Sequence, residues 1–367
     1  MGTQAALIDA CPTMNVSDFG FDLPAELIAQ VPAERGASRL LVLDKGTGGI
    51  AHTQVSRIGE YLREGDLLVV NDTKVFPARL LGSRASSGGA VECLLLANIQ
   101  DGGDRELWDA LVHPGQKLQP GARMIFRGAR HVLHGEVIAR HFHGRRTIRL
   151  WSENGGSVDE AIEEIGHMPL PPYIKREDTS SDRDRYQTVY ARERGSVAAP
   201  TAGLHFTAEL LDDLEARGVQ RAAVTLHVGY GTFQPVRVDT VETHTIDAER
   251  FSISESAAEA INHARRDKRR VIAVGTTTTR ALESAGRAGR GVITPQSGWS
   301  DLFIYPGHRF TIVDALMTNF HLPQSSLLML ACAFGGRDAV LAAYRDAVAH
   351  RYRFYSYGDA MLMLCQC

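Results

Sequence analysis

The chain has 367 residues, 44% of them hydrophobic and 23% charged, with a formal net charge of −3. That balance fits a globular protein with core enough for two or three domains and excludes a globally basic nucleic-acid binder. No apolar run reaches the length of a membrane span, and no basic stretch followed by an apolar one marks a signal peptide.

Residues 1–13 read as a loose extension, with Met14 a second candidate start. The runs at 39–44 (Arg-Leu-Leu-Val-Leu-Asp) and 66–72 (Asp-Leu-Leu-Val-Val-Asn-Asp) are short, apolar and bounded by turn signals, so they predict buried strands. From about 75 to 152 the texture changes. Short β-rich runs at 75–82, 90–98, 107–112, 122–127, 131–142 and 146–151 alternate with turns rich in Gly, Pro, Asp or Asn. His-Gly-Arg-Arg at 143–146 reads as a hairpin tip, and strands in series without helices predict a small barrel.

After 157 helices return. Runs at 223–228, 271–275, 301–305 and 315–320 predict strands, and 207–217, 254–268, 278–289, 324–334 and 337–350 predict helices. Alternation of this kind implies a sheet covered on both faces. The expected architecture is α/β: a three-layer α/β/α core of residues 14–73 and 155–367, interrupted by a small antiparallel β-barrel at 74–154.

Five cysteines at 11, 93, 332, 365 and 367 form no CxxC pair, and the terminal CxC reads as frayed. This points to a reducing, cytoplasmic compartment without a disulfide framework. Basic residues cluster at Arg145 and Arg146, at Lys175 and Arg176 with Arg183 and Arg185, and from Arg265 to Arg270. Such clusters can hold an RNA backbone, although solvated faces are the commoner explanation.

Residues 168–206 are too stiff and too selectively polar for ordinary core. Pro169, Pro171 and Pro172 fix backbone angles, and Pro200 with Gly203 shapes a loop presenting Thr201 and His205. Thr207 then starts a helix that ends at Gly218. A shaped loop feeding a helix N-terminus makes an anion pocket, and a rigid connector is the plain alternative.

Three strand ends carry polar groups where α/β sheets hold ligands. In Thr225-Leu-His-Val-Gly-Tyr-Gly-Thr-Phe-Gln-Pro-Val, Gly229 and Gly231 let backbone amides approach a ligand beside His227 and Thr232. This is half a dinucleotide fingerprint, because Gln234 stands where the third glycine belongs. In Val271-Ile-Ala-Val-Gly-Thr-Thr-Thr-Thr-Arg, a buried strand opens through Gly275 into four threonines, of which a helix cap explains one. The remaining hydroxyls, Thr276 and Thr277 among them, suit a carboxylate or a ribose. In Thr318-Asn-Phe-His-Leu-Pro, Asn319 and His321 lie two apart and share one face before a helix begun at Pro323.

There is no P-loop, no GxSxG elbow and no HExxH. His131, His134, His141 and His143 crowd one hairpin without nearby cysteines or paired carboxylates, so no metal site is read there. His134-Gly-Glu136 lacks the Pro-Cys-x-x-Cys partner of a zinc deaminase.

Taken together the blocks resemble the S-adenosylmethionine:tRNA ribosyltransferase-isomerase family of the queuosine pathway. The resemblance runs from Asp18-Phe-Gly-Phe-Asp-Leu-Pro through Leu67-Leu-Val-Val-Asn-Asp-Thr-Lys-Val-Phe-Pro-Ala-Arg-Leu, Leu170-Pro-Pro-Tyr-Ile, Arg185-Tyr-Gln-Thr-Val-Tyr and Ala198-Ala-Pro-Thr-Ala-Gly-Leu-His-Phe. It continues through the three strand-end motifs to Tyr352-Arg-Phe-Tyr-Ser-Tyr-Gly-Asp-Ala-Met, and so covers nearly the whole chain. It implies an α/β core with an inserted barrel. It also implies transfer of the ribosyl part of S-adenosylmethionine to the aminomethyl group of a 7-deazaguanine at the tRNA wobble position. The ribose rearranges to an epoxycyclopentanediol, giving epoxyqueuosine, and adenine and methionine leave. S-adenosylmethionine is thus a consumed cosubstrate, with no metal and no further cofactor expected.

The expected partners are tRNA and S-adenosylmethionine, with no membrane, in a monomer or weak homodimer. The site is expected among Thr201, Gly203, His205, His227, Gly229, Thr232, Gly275, Thr276, Thr277, Asn319 and His321, with the histidines as proton carriers. Asn71 and Arg79 near the barrel hinge, and Tyr357 and Asp359, are further candidates. One position departs from the family pattern: three residues after His244, where a second histidine is common, stands Asp247.

Two other classes compete. A non-catalytic RNA-binding protein should interleave aromatics with basic residues on its barrel, where only Phe76, Trp108, Phe126, Phe142 and Trp151 occur. A methyltransferase should carry a Gly-rich loop after an early strand followed by an acidic residue, and none is present.

Overall fold

The computed structural model describes residues 13–100, 105–153 and 155–365. Residues 1–12 of the expected extension and Cys367 of the terminal CxC lie outside that range. A nine-stranded sheet organises the chain, in the order Gln296–Ser300, Glu249–Ile253, Gln220–Leu226, Leu67–Asn71, Val271–Val274, Ala315–Asn319, Ala360–Leu364, Arg39–Asp44, Ile50–Gln54. The four strands from Gln220–Leu226 to Ala315–Asn319 are mutually parallel.

Period-two burial explains why these strands read as continuous apolar runs. Leu41, Leu43, Val69 and Ala273 belong to the core on one face. Their neighbours Leu40, Val42, Val70 and Ile272 belong to the core on the other. Both faces are covered, so no polar side is needed. Helices Glu255–Arg266, Thr276–Ala288, Ser326–Gly335 and Arg337–Ala349 cover the first face through residues such as Ile261, Leu282, Met329 and Tyr344. Helix Ala208–Ala216, through Leu211 and Leu214, covers the second with Phe206 and Ile58. Side-chain caps start three of these helices: Ser254 accepts from the Ala257 amide, Ser325 from Leu328, and Thr207 from Leu210.

The insert is a closed six-stranded antiparallel barrel, in the order Arg145–Ser152, Glu106–His113, Ala90–Gln100, Arg79–Arg84, Arg123–Arg127, Val132–Arg140. Helix Val158–Ile165, which no sequence expectation named, packs Val158, Ala161, Ile162 and Ile165 into the barrel core.

Two strand expectations are corrected. The run at 75–82 divides: Thr73–Val75 pairs with Glu193–Ser196 in a two-stranded sheet, and only Arg79–Arg84 joins the barrel. The strand expected at 301–305 lies instead at Gln296–Ser300, where it pairs with Glu249–Ile253 and leaves Trp299 exposed. Leu302, Phe303 and Tyr305 are apolar because they pack against the core, not because they pair.

No single described helix is long and apolar enough to cross a membrane. Ser326–Gly335 and Arg337–Ala349 reach that length only as a pair bent by 115°, and both are built into the sheet's core.

Candidate active site

The parallel strands place four carboxyl ends side by side: His227 after Leu226, Asn71, Gly275 after Val274, and Asn319. This is the edge at which open α/β sheets receive ligands. The turn Thr201–His205 lies across it, and the segment before Ala360 returns along it with Tyr355 and Ser356. Together they form a narrow cleft lined by Thr201, Thr232, Gly275, Thr276, Thr277, Asn319 and His321. Seven of the expected site residues therefore share one cavity. Through Thr232 and Leu327 it adjoins a second small cavity.

Local geometry assigns each group. Gly275, at φ 97°, turns the strand directly into helix Thr276–Ala288. No threonine caps that helix. Thr278 and Thr279 bond back to the carbonyls of Val274 and Gly275, at 2.6 and 3.1 Å. Thr276 and Thr277 remain on the cleft wall, beside the amides that a helix start leaves without intrahelical partners. The expectation of one capping hydroxyl is thus replaced by two back-bonded hydroxyls and a glycine at the cap position.

Asn319 is 2% exposed. Its Nδ2 donates to His205 Nε2 at 3.1 Å and to the Tyr355 carbonyl at 3.0 Å. Its Oδ1 is buried with no hydrogen-bond partner among the described residues. Tyr355 itself has φ 75°, a left-handed conformation rare for an aromatic residue.

Burial sets the histidines' protonation. His205 falls from 6.5 to about 4 and His321 from 6.5 to about 3, both because desolvation disfavours the cation. His321 Nε2 lies 2.8 Å from Thr318 Oγ1 on the cleft wall, whereas His205 stands behind Asn319. His227 is also lowered, by burial and by the charge of Arg250. Its Nδ1 meets Thr73 Oγ1 at 2.8 Å, and its ring lies beside the cleft rather than in its lining.

Several other expected residues are bound into the scaffold. Asn71 exchanges bonds with both backbone groups of Leu226, at 2.9 and 3.0 Å, and donates to Thr277 Oγ1 at 3.3 Å. It ties two strand ends together and orients a cleft threonine. The Gly229 amide donates to Glu249 Oε1 at 2.8 Å, and Thr232 Oγ1 reaches the same oxygen at 3.3 Å. Glu249 in turn forms a buried ion pair with Arg280. Gly203 is glycine for packing: a Cβ there would stand 2.1 Å from the Tyr190 hydroxyl oxygen.

Arg79 pairs with Glu92 at 2.7 Å in a separate and larger cavity, between the barrel and the Pro169–Pro172 segment. The Tyr357 hydroxyl donates to Asp182, and Asp359 accepts from the backbone amides of Arg39 and Arg353. Asp247 pairs with Arg145 of the barrel at 2.9 Å and lines the second cavity. Most clustered arginines likewise serve the fold. Arg146 donates to the carbonyls of Leu118 and Gly115, Arg183 to those of Glu163 and Gly166, and Arg176 grips Asp182.

Tyr173, Tyr355 and Ser356 line the cleft and were not among the expected residues. The Tyr173 and Tyr355 ring centroids lie 3.7 Å apart, and the Tyr173 hydroxyl meets Ser356 Oγ. All three stand inside blocks that carry the resemblance, which was the available signal. The Glu249–Arg280 pair had no sequence signal.

The profile of the family described as queuosine biosynthesis protein matches residues 16–363. The chain belongs to that family. A relative from Symbiobacterium thermophilum named S-adenosylmethionine:tRNA ribosyltransferase-isomerase is 52% identical over 352 residues, covering 96% of this chain and 100% of its own. One of the same name from Acetivibrio thermocellus is 51% identical over 351 residues, covering 95% and 100%. A crystal structure of S-adenosylmethionine tRNA ribosyltransferase from Thermotoga maritima is similar with a TM-score of 0.53 at 38% identity, over 95% of this chain and 100% of that one. That family carries the mixed α/β fold with a barrel, as the resemblance implies.

Proposed function

We infer that this chain is a transferase-isomerase that moves the ribosyl group of S-adenosylmethionine onto the aminomethyl group of a wobble 7-deazaguanine in tRNA. The ribose becomes an epoxycyclopentanediol, the product is epoxyqueuosine-tRNA, and adenine and methionine leave. The observation that carries this reading is full-length similarity, at about half identity, to relatives bearing that enzyme's name.

The cleft suits the cosubstrate. The start of helix Thr276–Ala288 favours the methionine carboxylate, and the Thr201, Thr276 and Thr277 hydroxyls suit the ribose. The orphaned Asn319 Oδ1 takes a hydroxyl or ammonium donor, and the paired rings of Tyr173 and Tyr355 offer a face to adenine. The larger cavity between barrel and core is where a splayed tRNA base enters, which gives the barrel a part in holding tRNA.

The sulfonium acidifies the adjacent ribose 5′ carbon, and a base must take that proton. His321 is the imidazole on the cleft wall and is neutral at pH 7, the state a proton acceptor needs; burial disfavours its cation, so the proton it takes is passed on rather than kept. The proton it gains is the one available for departing adenine. His205 acts through Asn319, as a positioning residue. His227 serves the wall near the barrel hinge.

The functional division of the chain follows the same lines: residues 14–73 and 155–367 bind cosubstrate, and the 74–154 insert, with helix Val158–Ile165 packed on it, faces the tRNA. A reducing, cytoplasmic location fits the free thiols of Cys93, Cys332 and Cys365, and the chain is taken to act as a monomer or weak homodimer.

Mass spectrometry of tRNA carrying the aminomethyl deazaguanine, after incubation with the protein and S-adenosylmethionine, tests the assignment. Growth of the base by one epoxycyclopentanediol unit, with adenine and methionine released, is expected. A methylated base, or bound but unchanged tRNA, overturns it. His321→Gln should abolish turnover with S-adenosylmethionine binding retained; near-normal turnover removes His321 from the proton path.

A further inference from the structure

At the far edge of the sheet, away from the cleft, three side chains from opposite ends of the chain converge. His52 stands on the edge strand Ile50–Gln54, while Asp346 and His350 lie four residues apart at the end of helix Arg337–Ala349. One donor atom from each falls within 4.8 Å of the other two. His52 Nε2 is 3.0 Å from Asp346 Oδ2, and His350 Nδ1 is 3.2 Å from Asp346 Oδ1.

The angles matter as much as the distances. Asp346 Oδ2 is buried and has no hydrogen-bond partner among the described residues, although His52 Nε2 is 3.0 Å away. The two atoms approach closely without making a hydrogen bond, so the contact leaves the carboxylate oxygen open to another partner. Around a metal with bonds of 2.0–2.1 Å, tetrahedral ligands stand roughly 3.3 Å apart; the two His–Asp spacings are close to this, and a bound ion would draw the three donors, now within 4.8 Å of one another, together.

The surroundings match a ligand set rather than a chance ion pair. The Tyr352 oxygen lies 2.9 Å from His52 Nδ1; in the tautomer in which Nδ1–H donates to that oxygen, the contact fixes the ring and leaves Nε2 for the metal. Arg39 stacks 4.1 Å over the Tyr352 ring, and its charge is met by Asp359 at 3.0 Å. The Asp346 carbonyl lies 3.0 Å from His350 Nδ1 and is the one bond that ligation through that nitrogen would exchange.

We propose that His52, Asp346 and His350 form a binding site for a divalent transition metal of the zinc class, with water completing the coordination. Two imidazoles and one carboxylate are zinc's own ligand chemistry. The metal clamps the exposed edge strand to the helix end, a place where sheets need cover. It also anchors Tyr352, from which the chain runs directly to Tyr355 and Ser356 on the cleft wall. The site lies outside the transfer reaction and supplies none of its chemistry.

The full-length protein is stripped with chelator and titrated with zinc chloride against a competing chromophore, and separately with cobalt. One zinc per chain is expected, together with the intense visible bands of tetrahedral cobalt and a melting temperature that rises with zinc. His52→Ala and Asp346→Asn should each lose the cobalt bands, and Tyr352→Phe should weaken zinc by about tenfold. His141→Ala, elsewhere on the surface, should change nothing. Circular dichroism of the metal-free variants separates lost binding from lost folding, and His350→Gln provides a second ligand variant. Equal zinc uptake by the folded wild type and the folded His52→Ala protein overturns the site, as does absence of uptake by the wild type.

Discussion

Acidification should destabilise this protein in a window set by two buried imidazoles. His205 and His321 bind protons in the folded state only near pH 4 and pH 3, against 6.5 when exposed. The unfolded chain therefore binds more protons than the native one below pH 6.5, and stability falls as pH falls. It is fully present above 6.5 and is lost progressively down to the folded-state values. Integrating from pH 7 to pH 5 costs about 2 kcal/mol for each ring, roughly 4 kcal/mol together. Carboxylates titrate mostly below this window, so the histidines dominate it.

The perturbation is His205→Gln combined with His321→Gln, which keeps an acceptor for the Asn319 amide while removing the titration. Urea unfolding at pH 7 and pH 5 gives the difference for wild type and variant. The wild type should lose roughly 4 kcal/mol more than the double variant across that interval. An identical pH dependence in both proteins would mean that burial does not disfavour the cations of these two rings, and would refute the desolvation argument.

Three further outcomes follow from packing and charge. Glu249→Gln leaves Arg280 buried and uncompensated and should destabilise by about 3 kcal/mol in denaturant titration, while loosening the loop that Glu249 holds through Gly229. Thr277→Val should raise the KM for S-adenosylmethionine, with a small loss of stability from the 3.3 Å bond that Asn71 gives its hydroxyl. Thr278→Val removes a bond to a backbone carbonyl and should lower the melting temperature instead, leaving that KM alone. Gly203→Ala puts a Cβ within 2.1 Å of the Tyr190 oxygen and should cost both stability and turnover, whereas combining it with Tyr190→Phe should restore part of the stability by removing the clashing atom.

Much of the site was legible as motifs. The Gly275 turn into threonines, the Asn319-x-His321 pair and the Thr201 loop each combine a strand end or shaped turn with polar groups, and these are local properties. The histidines were harder. Their residue type was visible, but which one lines the cleft depends on Asn319 standing between His205 and the cavity. Asn71, Tyr357 and Asp359 stood in the right blocks yet spend their polar atoms on backbone or on a buried ion pair. The strand at Ala360–Leu364 went unpredicted because a short apolar run near a terminus gives no period to count.

Local order in this chain is therefore written in the sequence. Period-two and period-3.6 burial, capping residues and turn chemistry are set by neighbours a few positions away, so the alternation of α/β core and barrel could be read directly. Strand order could not. Hydrogen bonding among Gln220–Leu226, Leu67–Asn71, Val271–Val274 and Ala315–Asn319 is what gathers their carboxyl ends into one cleft, and it joins segments far apart in the chain. The His52, Asp346 and His350 cluster has the same origin: its members meet only when the edge strand folds against a helix near the other end of the chain. Backbone pairing between distant segments carries no local signature, and so it falls to the tertiary structure to decide which polar residues face a cavity and which hold the fold.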